Sequence, residues 1–254
     1  MQRYFVPPEQ FGPESVRITG DDAHHLLRVM RGQPGDKVIC SNGSDRVVLA
    51  ELQELGKTEA QALIVEELPF AGEPAIEVWV AQSLPKGDKL ETVIQKGTEI
   101  GAAKFLPFLS ERTVVQYDAK KEAKKLERWQ KIAKEAAEQA HRSRVPVVDG
   151  TRTWKELLKA AAEADLALIC YEKENGLQLK QALAGKLGQP AEGKKALRVL
   201  FAIGPEGGFA EQEVEQAEEA GFRSVGLGAR ILRTETAAMV ALACLFYESG
   251  EMGE

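Results

Sequence analysis

From Met1 to Val65 the chain alternates short apolar runs with breaks at glycine, proline or asparagine, and the runs are rich in β-forming residues. The pattern predicts strands over 3–6, 15–18, 37–40, 47–52 and 60–65. Ser41-Asn42-Gly43-Ser44 is the hairpin turn between the third and fourth. One helix interrupts them. Ala23, Leu26, Leu27 and Met30 fall at i, i+3, i+4 and i+7, with Asp21 or Asp22 as N-cap and Gly32 closing the element. The stretch from Glu66 to Pro74 keeps neither periodicity and reads as a linker.

Beyond the linker, strand-like and helix-like segments alternate. Strands are predicted over 76–84, 104–108, 145–148, 166–171, 197–203 and 224–227, and helices over 88–100, 119–141, 154–164, 177–187, 211–220 and 235–247. Asp88 with Glu91, and Thr153 with Glu156, have capping-box spacing, while Gly101 and Gly221 stand where helices end. Leu90, Val93, Ile94 and Ile100 form a core-facing stripe. Such alternation predicts an α/β fold with a parallel sheet covered on both faces. Residues 185–193, rich in glycine, read as a mobile surface loop. The final helix is apolar all round from Ala237 to Phe246, so it is expected to be buried on every side, as a core helix or between two copies of the chain.

Composition narrows the class. With 254 residues, 44% hydrophobic and 28% charged, the chain is long and apolar enough for one large domain or two modest ones, which excludes global disorder. Its longest apolar run falls well short of the roughly 20 residues of a membrane span. The start of the chain lacks the apolar stretch of a secretory signal. A soluble, cytoplasmic protein without membrane contact is expected. Cys40, Cys170 and Cys244 are odd in number and scattered, as buried reduced thiols would be. Without CxxC or zinc-like histidine spacing, no metal site is expected.

Net charge is −6, yet residues 85–146 hold 14 lysines and arginines against 9 acidic residues. That segment is either a footprint for a polyanion or the solvated faces of long helices. His24, Arg28 and Arg31 share one stripe of the first helix, with His25 beside it; such a row of donors could hold phosphates, while a solvated helix face is the commoner reading.

Ligands of open α/β sheets bind beyond the C-terminal ends of strands. Three such ends stand out: Cys170-Tyr171-Glu172, Gly204-Pro205-Glu206-Gly207-Gly208-Phe209, and the run from Leu227 to Thr236. The glycine-rich loop is neither a dinucleotide fingerprint nor a P-loop, and Glu206 in it would repel a pyrophosphate. It suits a ligand with hydroxyls and positive charge, such as S-adenosylmethionine, unless it is only a turn before the next helix.

The two glycine-bearing segments, Gly204–Phe209 and Leu227-Gly228-Ala229-Arg230-Ile231-Leu232-Arg233-Thr234-Glu235-Thr236-Ala237-Ala238, closely resemble the signature of the ribosomal RNA small-subunit methyltransferase E family of knotted SPOUT methyltransferases. Further motifs follow in the same order along the whole chain: Ala23–Arg31, Lys86-Gly87-Asp88-Lys89, Gln95–Gly101, Ser110-Glu111-Arg112, and Glu138-Gln139 with Arg142–Pro146. His141 departs from the pattern, standing where the family often carries a small residue.

The resemblance implies an N-terminal PUA-like β-barrel over 1–70, for RNA binding, and a SPOUT domain over 75–254 with a C-terminal trefoil knot about 197–250. It implies a homodimer that uses S-adenosylmethionine to methylate N3 of a uridine in 16S ribosomal RNA, within the small ribosomal subunit. A non-catalytic RNA-binding or assembly factor of the same fold is the alternative. Arg233, preceding a helix N-terminus, is the catalytic candidate that would stabilise the ionised uracil, unless it pairs with Glu206 or Glu235. Glu235 is a weaker candidate base, since first-turn acids usually only complement the helix dipole. The expected cofactor contacts are Tyr171, Leu200, Phe201, Ile203, Gly204, Glu206, Gly207, Gly208, Leu227, Gly228, Ile231, Leu232, Thr234 and Thr236, with core burial an equal account of Leu200 and Phe201 and helix capping one of Thr234. The expected RNA contacts are His25, Arg28, Arg31, Lys86, Lys89, Lys96, Arg112, Arg142 and Arg144.

Overall fold

The structure is a computed structural model that describes residues 1–184, 186–187 and 196–253. Apart from Lys186 and Leu187, the segment read as a surface loop lies outside the described residues. The chain divides into two compact units, one of residues 1–73 with 137–145 and one of residues 74–136 with 146–254.

In the first unit, β1 (Arg3–Phe5), β2 (Ser15–Thr19), β3 (Lys37–Ser41), β4 (Val47–Leu55) and β5 (Glu59–Leu68) form a mixed sheet in the order β1-β3-β4-β5-β2. Only the β1–β3 pairing is parallel. Tyr4 from one edge strand and Val16 and Ile18 from the other enter the same core as Cys40, Val48, Leu52 and Ala62, so the sheet curls around its apolar side.

The helix of this unit, α1 (Gly20–His24), runs on into a π-helical turn, His25–Val29. Ala23 and Leu26 are buried as the periodicity predicts, while Met30 is exposed. The start differs from expectation: Thr19 is the N-cap, and Asp21 and Asp22 lie in the first turn. At the other end Arg31, with φ +54°, takes the left-handed conformation in place of Gly32.

The linker expected from Glu66 begins only after Leu68, because β5 continues through the first three of its residues. Glu73 at its end is a fixed anchor. Its carboxylate accepts from the Arg142 guanidinium at 2.6 Å and from the amides of Ser143 at 3.0 Å and Arg144 at 2.9 Å. Ser41 Oγ donates to the Ser143 carbonyl at 2.9 Å, and the Phe5 amide donates to Glu138 at 3.0 Å. Residues 137–145 thus belong with a sheet more than a hundred positions earlier. His141 has φ +57°, a left-handed conformation that small residues enter more easily, so the small residue of the family pattern would suit this backbone better than histidine does.

The second unit holds β6 (Glu77–Ser83), β7 (Lys104–Phe108), β8 (Val147–Val148), β9 (Leu166–Cys170), β10 (Arg198–Ile203) and β11 (Arg223–Val225) in one sheet, ordered β11-β9-β10-β6-β7-β8. All its pairings are parallel. Its helices are α2 (Lys89–Ile100), α3 (Ala119–Gln139), α4 (Trp154–Ala160), α5 (Leu179–Leu183), α6 (Glu211–Glu219) and α7 (Thr234–Glu248). One core joins Trp79, Ala81, Phe108, Ile169, Leu200 and Phe209. Helix α2 packs against α7, and a Cβ on Gly97 would stand 2.7 Å from the Phe105 ring, so glycine permits the close approach of α2 to the sheet.

Four local expectations change. Asp88 occupies the N-cap of α2 without a side-chain hydrogen bond, and Glu91 is instead buried against Lys125 and Arg128, at 3.1 and 2.5 Å. Electrostatic pairing with α3 displaced the local cap; the Thr153–Glu156 box does form. Helix α5 covers only the middle of its predicted span, because Gln178 pairs with Gly226 as an isolated bridge. Helix α7 buries Ala238, Ala241, Leu242, Leu245 and Phe246 but exposes Cys244 and leaves Tyr247 68% accessible, so it is not covered all round. The expected thiol burial therefore holds for Cys40 and fails for Cys244. Among the described residues no helix is long and apolar enough to cross a membrane.

Candidate active site

Three strand ends and the start of α7 enclose a cavity of about 700 Å³, within the usual range for small-molecule sites. Cys170, Tyr171 and Glu172 line it after β9, Ile203 to Phe209 after β10, and Gly226 to Thr234 after β11. These positions lie at or beyond the C-terminal edge of the parallel sheet, where strand carbonyl ends and loop amides are free to meet a ligand.

The loops are held from beneath. Thr234 Oγ1 donates to the Gly204 carbonyl at 2.7 Å and accepts from Gln82 Nε2 at 2.8 Å, so one buried hydroxyl joins the end of β6, the loop after β10 and the first turn of α7. Arg233, not Thr234, is the N-cap of α7. Thr234→Val removes the donor and the acceptor together while keeping the shape. The expected cost is about 1–3 kcal/mol of stability, with weaker ligand binding in the cavity, measured by thermal unfolding and calorimetry. Unchanged values in both would show that the loops are held by other means.

Glycine is required at specific points. Gly208 has φ +65° and its amide closes a turn onto the Pro205 carbonyl at 2.9 Å. Gly228 has φ +101°, with open space where a Cβ would project. The loop after β10 is pinned by Phe209, which stacks on Phe108 with ring centroids 6.3 Å apart and touches Trp154.

Charges at the site are unevenly satisfied. Glu206 Oε1 accepts from Lys89 Nζ at 2.6 Å and from the Lys86 amide at 3.1 Å. Burial pushes the Glu206 carboxyl up, but these hydrogen bonds outweigh it and hold the group below the usual carboxylate range. Glu174 Oε1 accepts from the amides of Gly176 and Leu177, at 2.7 and 3.1 Å. Burial pushes the Cys170 thiol, half-buried at the cavity edge, up to about 12, so it stays neutral. The Tyr171 hydroxyl is buried with no partner among the described residues. Arg233 is exposed on the cavity wall and, among the described residues, pairs with neither Glu206 nor Glu235.

Of the residues expected to hold a cofactor, Tyr171, Ile203, Gly204, Glu206, Gly207, Gly208, Leu227, Gly228, Ile231, Leu232 and Thr234 line the cavity. Leu200 and Phe201 do not: both are fully buried in the sheet core, the second reading the sequence allowed. Thr236 and Glu235, in the first turn of α7, do not line the cavity, and Glu235 Oε2 is buried without a hydrogen-bond partner among the described residues. Glu172, Asn175, Gln178, Arg230 and Ala237 line the cavity without having been singled out as contacts. Glu172 was within reach of sequence reasoning, since it directly follows a recognised strand end. Gln178 was not, because it was read into a helix.

The expected RNA contacts divide similarly. Arg28, Arg31 and Arg144 in the first unit, and Lys86 in the second, are exposed. His25 Nδ1 is engaged by Tyr4 OH at 3.0 Å, and Arg142 is buried against Glu73. Lys96 pairs with Glu99 at 2.8 Å. Lys89 and Arg112 serve the glycine-rich loop, Lys89 through Glu206 and Arg112 through the Gly207 carbonyl at 2.7 Å.

A family model described as an RNA methyltransferase domain matches residues 72–246, and one described as an RNA methyltransferase PUA domain matches residues 18–65. The chain is 41% identical over 255 residues to the ribosomal RNA small subunit methyltransferase E of Bacillus subtilis (strain 168), covering 98% of this chain and 97% of that one. The chain belongs to the ribosomal RNA small subunit methyltransferase E family. A second member of that family, from Synechocystis, is 39% identical, with 95% of this chain and 76% of the relative covered. The crystal structure of a ribosomal RNA small subunit methyltransferase E from Neisseria gonorrhoeae bound to S-adenosyl methionine matches with a TM-score of 0.81 at 33% identity, over 97% of both chains. Membership of the methyltransferase E family makes the chain a methyltransferase and sets aside the non-catalytic alternative.

Proposed function

We propose that this methyltransferase transfers the methyl group of S-adenosylmethionine to N3 of one uridine in 16S ribosomal RNA. The observation that carries this reading is the cavity beyond β9, β10 and β11, built from the two glycine-bearing segments in a chain whose Neisseria relative is bound to S-adenosyl methionine. The residues fit such a ligand. Glycines leave backbone groups open to adenine and ribose, Tyr171 offers an unpartnered buried hydroxyl, and the lining carries carboxylates for a cationic molecule. When bound, S-adenosylmethionine supplies an electrophilic methyl group on a sulfonium.

The work of the chain is positioning and electrostatics. Uracil N3 gives up its proton to solvent before it attacks, the resulting charge spreads onto O2 and O4, and neutral S-adenosylhomocysteine is the leaving thioether. Arg233, unpaired among the described residues and at the N-terminus of α7, places a guanidinium and a helix dipole where such an anion is favoured. Glu235 is a dipole partner in that first turn, since its carboxylate does not reach the cavity lining.

The finer family features belong to the same proposal: a closed PUA-like barrel from the curled sheet of residues 1–70, a methyltransferase domain over 75–254, and a trefoil knot over about 197–250. Support for the knot is that β10 inserts between β9 and β6 while α7 packs back onto β10, α2 and α5. Support for a homodimer is the partly uncovered apolar side of α7 at Cys244 and Tyr247. Arg28, Arg31, Lys86 and Arg144 are the exposed cations through which ribosomal RNA, in the small subunit in the cytoplasm, would be held by its phosphates.

Incubating small subunits from cells lacking this protein with the purified chain and S-adenosylmethionine is expected to add one methyl group to one uridine, at N3, read by mass mapping of 16S ribosomal RNA. Methylation of another base or position, or of none, would refute the proposal.

A further inference from the structure

Three carboxylates line the cavity, and two of them are already satisfied. Glu206 is held by Lys89 and the Lys86 amide, and Glu174 by the amides of Gly176 and Leu177. Glu172 is different. It follows directly after β9 and Cys170-Tyr171, it is exposed, and among the described residues its carboxylate makes no hydrogen bond or ion pair.

It also lies against the glycine-rich loop. A Cβ placed on Gly208 would lie 2.6 Å from Glu172 Oε1 and 3.0 Å from its Cδ, so the missing side chain leaves room for the carboxylate against the glycine-rich loop. The carboxylate lies at the cavity wall with no cation of its own among the described residues, and such a charge gains most from a ligand that brings one.

We propose that Glu172, rather than Glu206, reads the positive charge of the methyl donor by pairing with the ammonium of its methionine end. This rests on the reading of the cavity as an S-adenosylmethionine site and adds a specificity-determining residue to it. Glu206 is then a positioning residue: its charge is spent on Lys89, and its task is to hold the loop after β10 to the start of α2.

The test compares two probes by calorimetry on the full chain: S-adenosylmethionine, and 5′-methylthioadenosine, which keeps adenine, ribose and sulfur but has no amino-acid tail and no charge. Glu172→Gln is isosteric and exposed, so the fold is retained. It is expected to weaken S-adenosylmethionine by about tenfold or more and to leave methylthioadenosine unchanged, with the salt dependence of donor binding flattened. Glu206→Gln is expected to weaken both probes alike. Equal loss of both probes in Glu172→Gln, no loss of either, or a donor-selective loss in Glu206→Gln instead, overturns the assignment to Glu172 while the cofactor site stands. Wild-type protein that binds neither probe overturns the assignment and the proposed function together.

Discussion

Arg233→Ala is expected to slow methyl transfer to ribosomal RNA by about 10²–10³-fold while leaving the affinity for S-adenosylmethionine nearly unchanged, the size of effect seen when one preorganised charge-stabilising group is removed. The reasoning starts from chemistry. A neutral imide nitrogen is a poor nucleophile, and its anion gains most from a cation fixed before the reaction begins. Arg233 meets that description because it is the N-cap of α7, with φ −64° and ψ 152°, anchored by its neighbour Thr234 to the Gly204 carbonyl. Its guanidinium is exposed and has no ion pair among the described residues, so no competing carboxylate neutralises it. A structural role would predict a different result, lower thermal stability with transfer and donor binding falling together. Arg233→Lys should recover part of the rate, since charge returns without the planar fork. Single-turnover kinetics with calorimetry on the same variants decides the matter, and near-normal turnover in Arg233→Ala would remove this residue from the chemistry.

Phe209→Ala is expected to be the most damaging change in the cavity loops, destabilising the protein by about 3–5 kcal/mol, the usual cost of deleting a fully buried aromatic ring. Phe209 is 1% exposed, stacks on Phe108 with an interplanar angle of 8°, and meets Trp154 at 5.9 Å. Its ring also lies where a Cβ on Gly204 would come to 3.3 Å, so it seats the first residue of the loop directly. Loss of the ring therefore removes both core packing and the support of the glycine-rich turn. Thermal unfolding should shift down sharply, and donor binding should fall even below the new transition. Phe209→Leu, which keeps most of the apolar volume, should restore a large share of both. If Phe209→Ala melts like the wild type, the loop is not held by this cluster.

The second prediction also shows why one half of the site was legible and the other was not. The motif Gly204–Phe209 announces a tight turn ending in an anchoring aromatic, because glycine spacing and a lone large residue after an apolar strand are local signals. The same holds for the strands of the second unit, where β6 to β11 fall within three residues of their expected ends. Leu200 and Phe201 show the opposite case. Nothing in the run of five apolar residues from Val199 to Ile203 says which side chains face a ligand and which face the sheet core, because both environments select the same residue types.

Charge was the least legible property. Lys89, Arg112 and Arg142 look alike in sequence, yet one is bound to Glu206, one to a loop carbonyl and one is buried on Glu73. Asp88 and Glu91 had capping-box spacing, and Glu91 was taken by Lys125 and Arg128 instead. A long-range ion pair competes with a local cap whenever packing brings the partner close, and spacing along the chain carries no record of that competition.

By itself, then, the sequence determined the curled β unit, the parallel α/β unit, the three strand ends that carry chemistry, and, through its motifs, the family. These follow from periodicity, turn residues and local order, which act over a few neighbouring positions. Only the tertiary structure decided that residues 137–145 join the first unit, that Thr234 ties Gln82 to Gly204, and which carboxylate of the cavity is left unpaired. Those outcomes are set by through-space distances of about 3 Å between residues up to 152 positions apart, and electrostatics and hydrogen bonding depend on that distance rather than on separation along the chain.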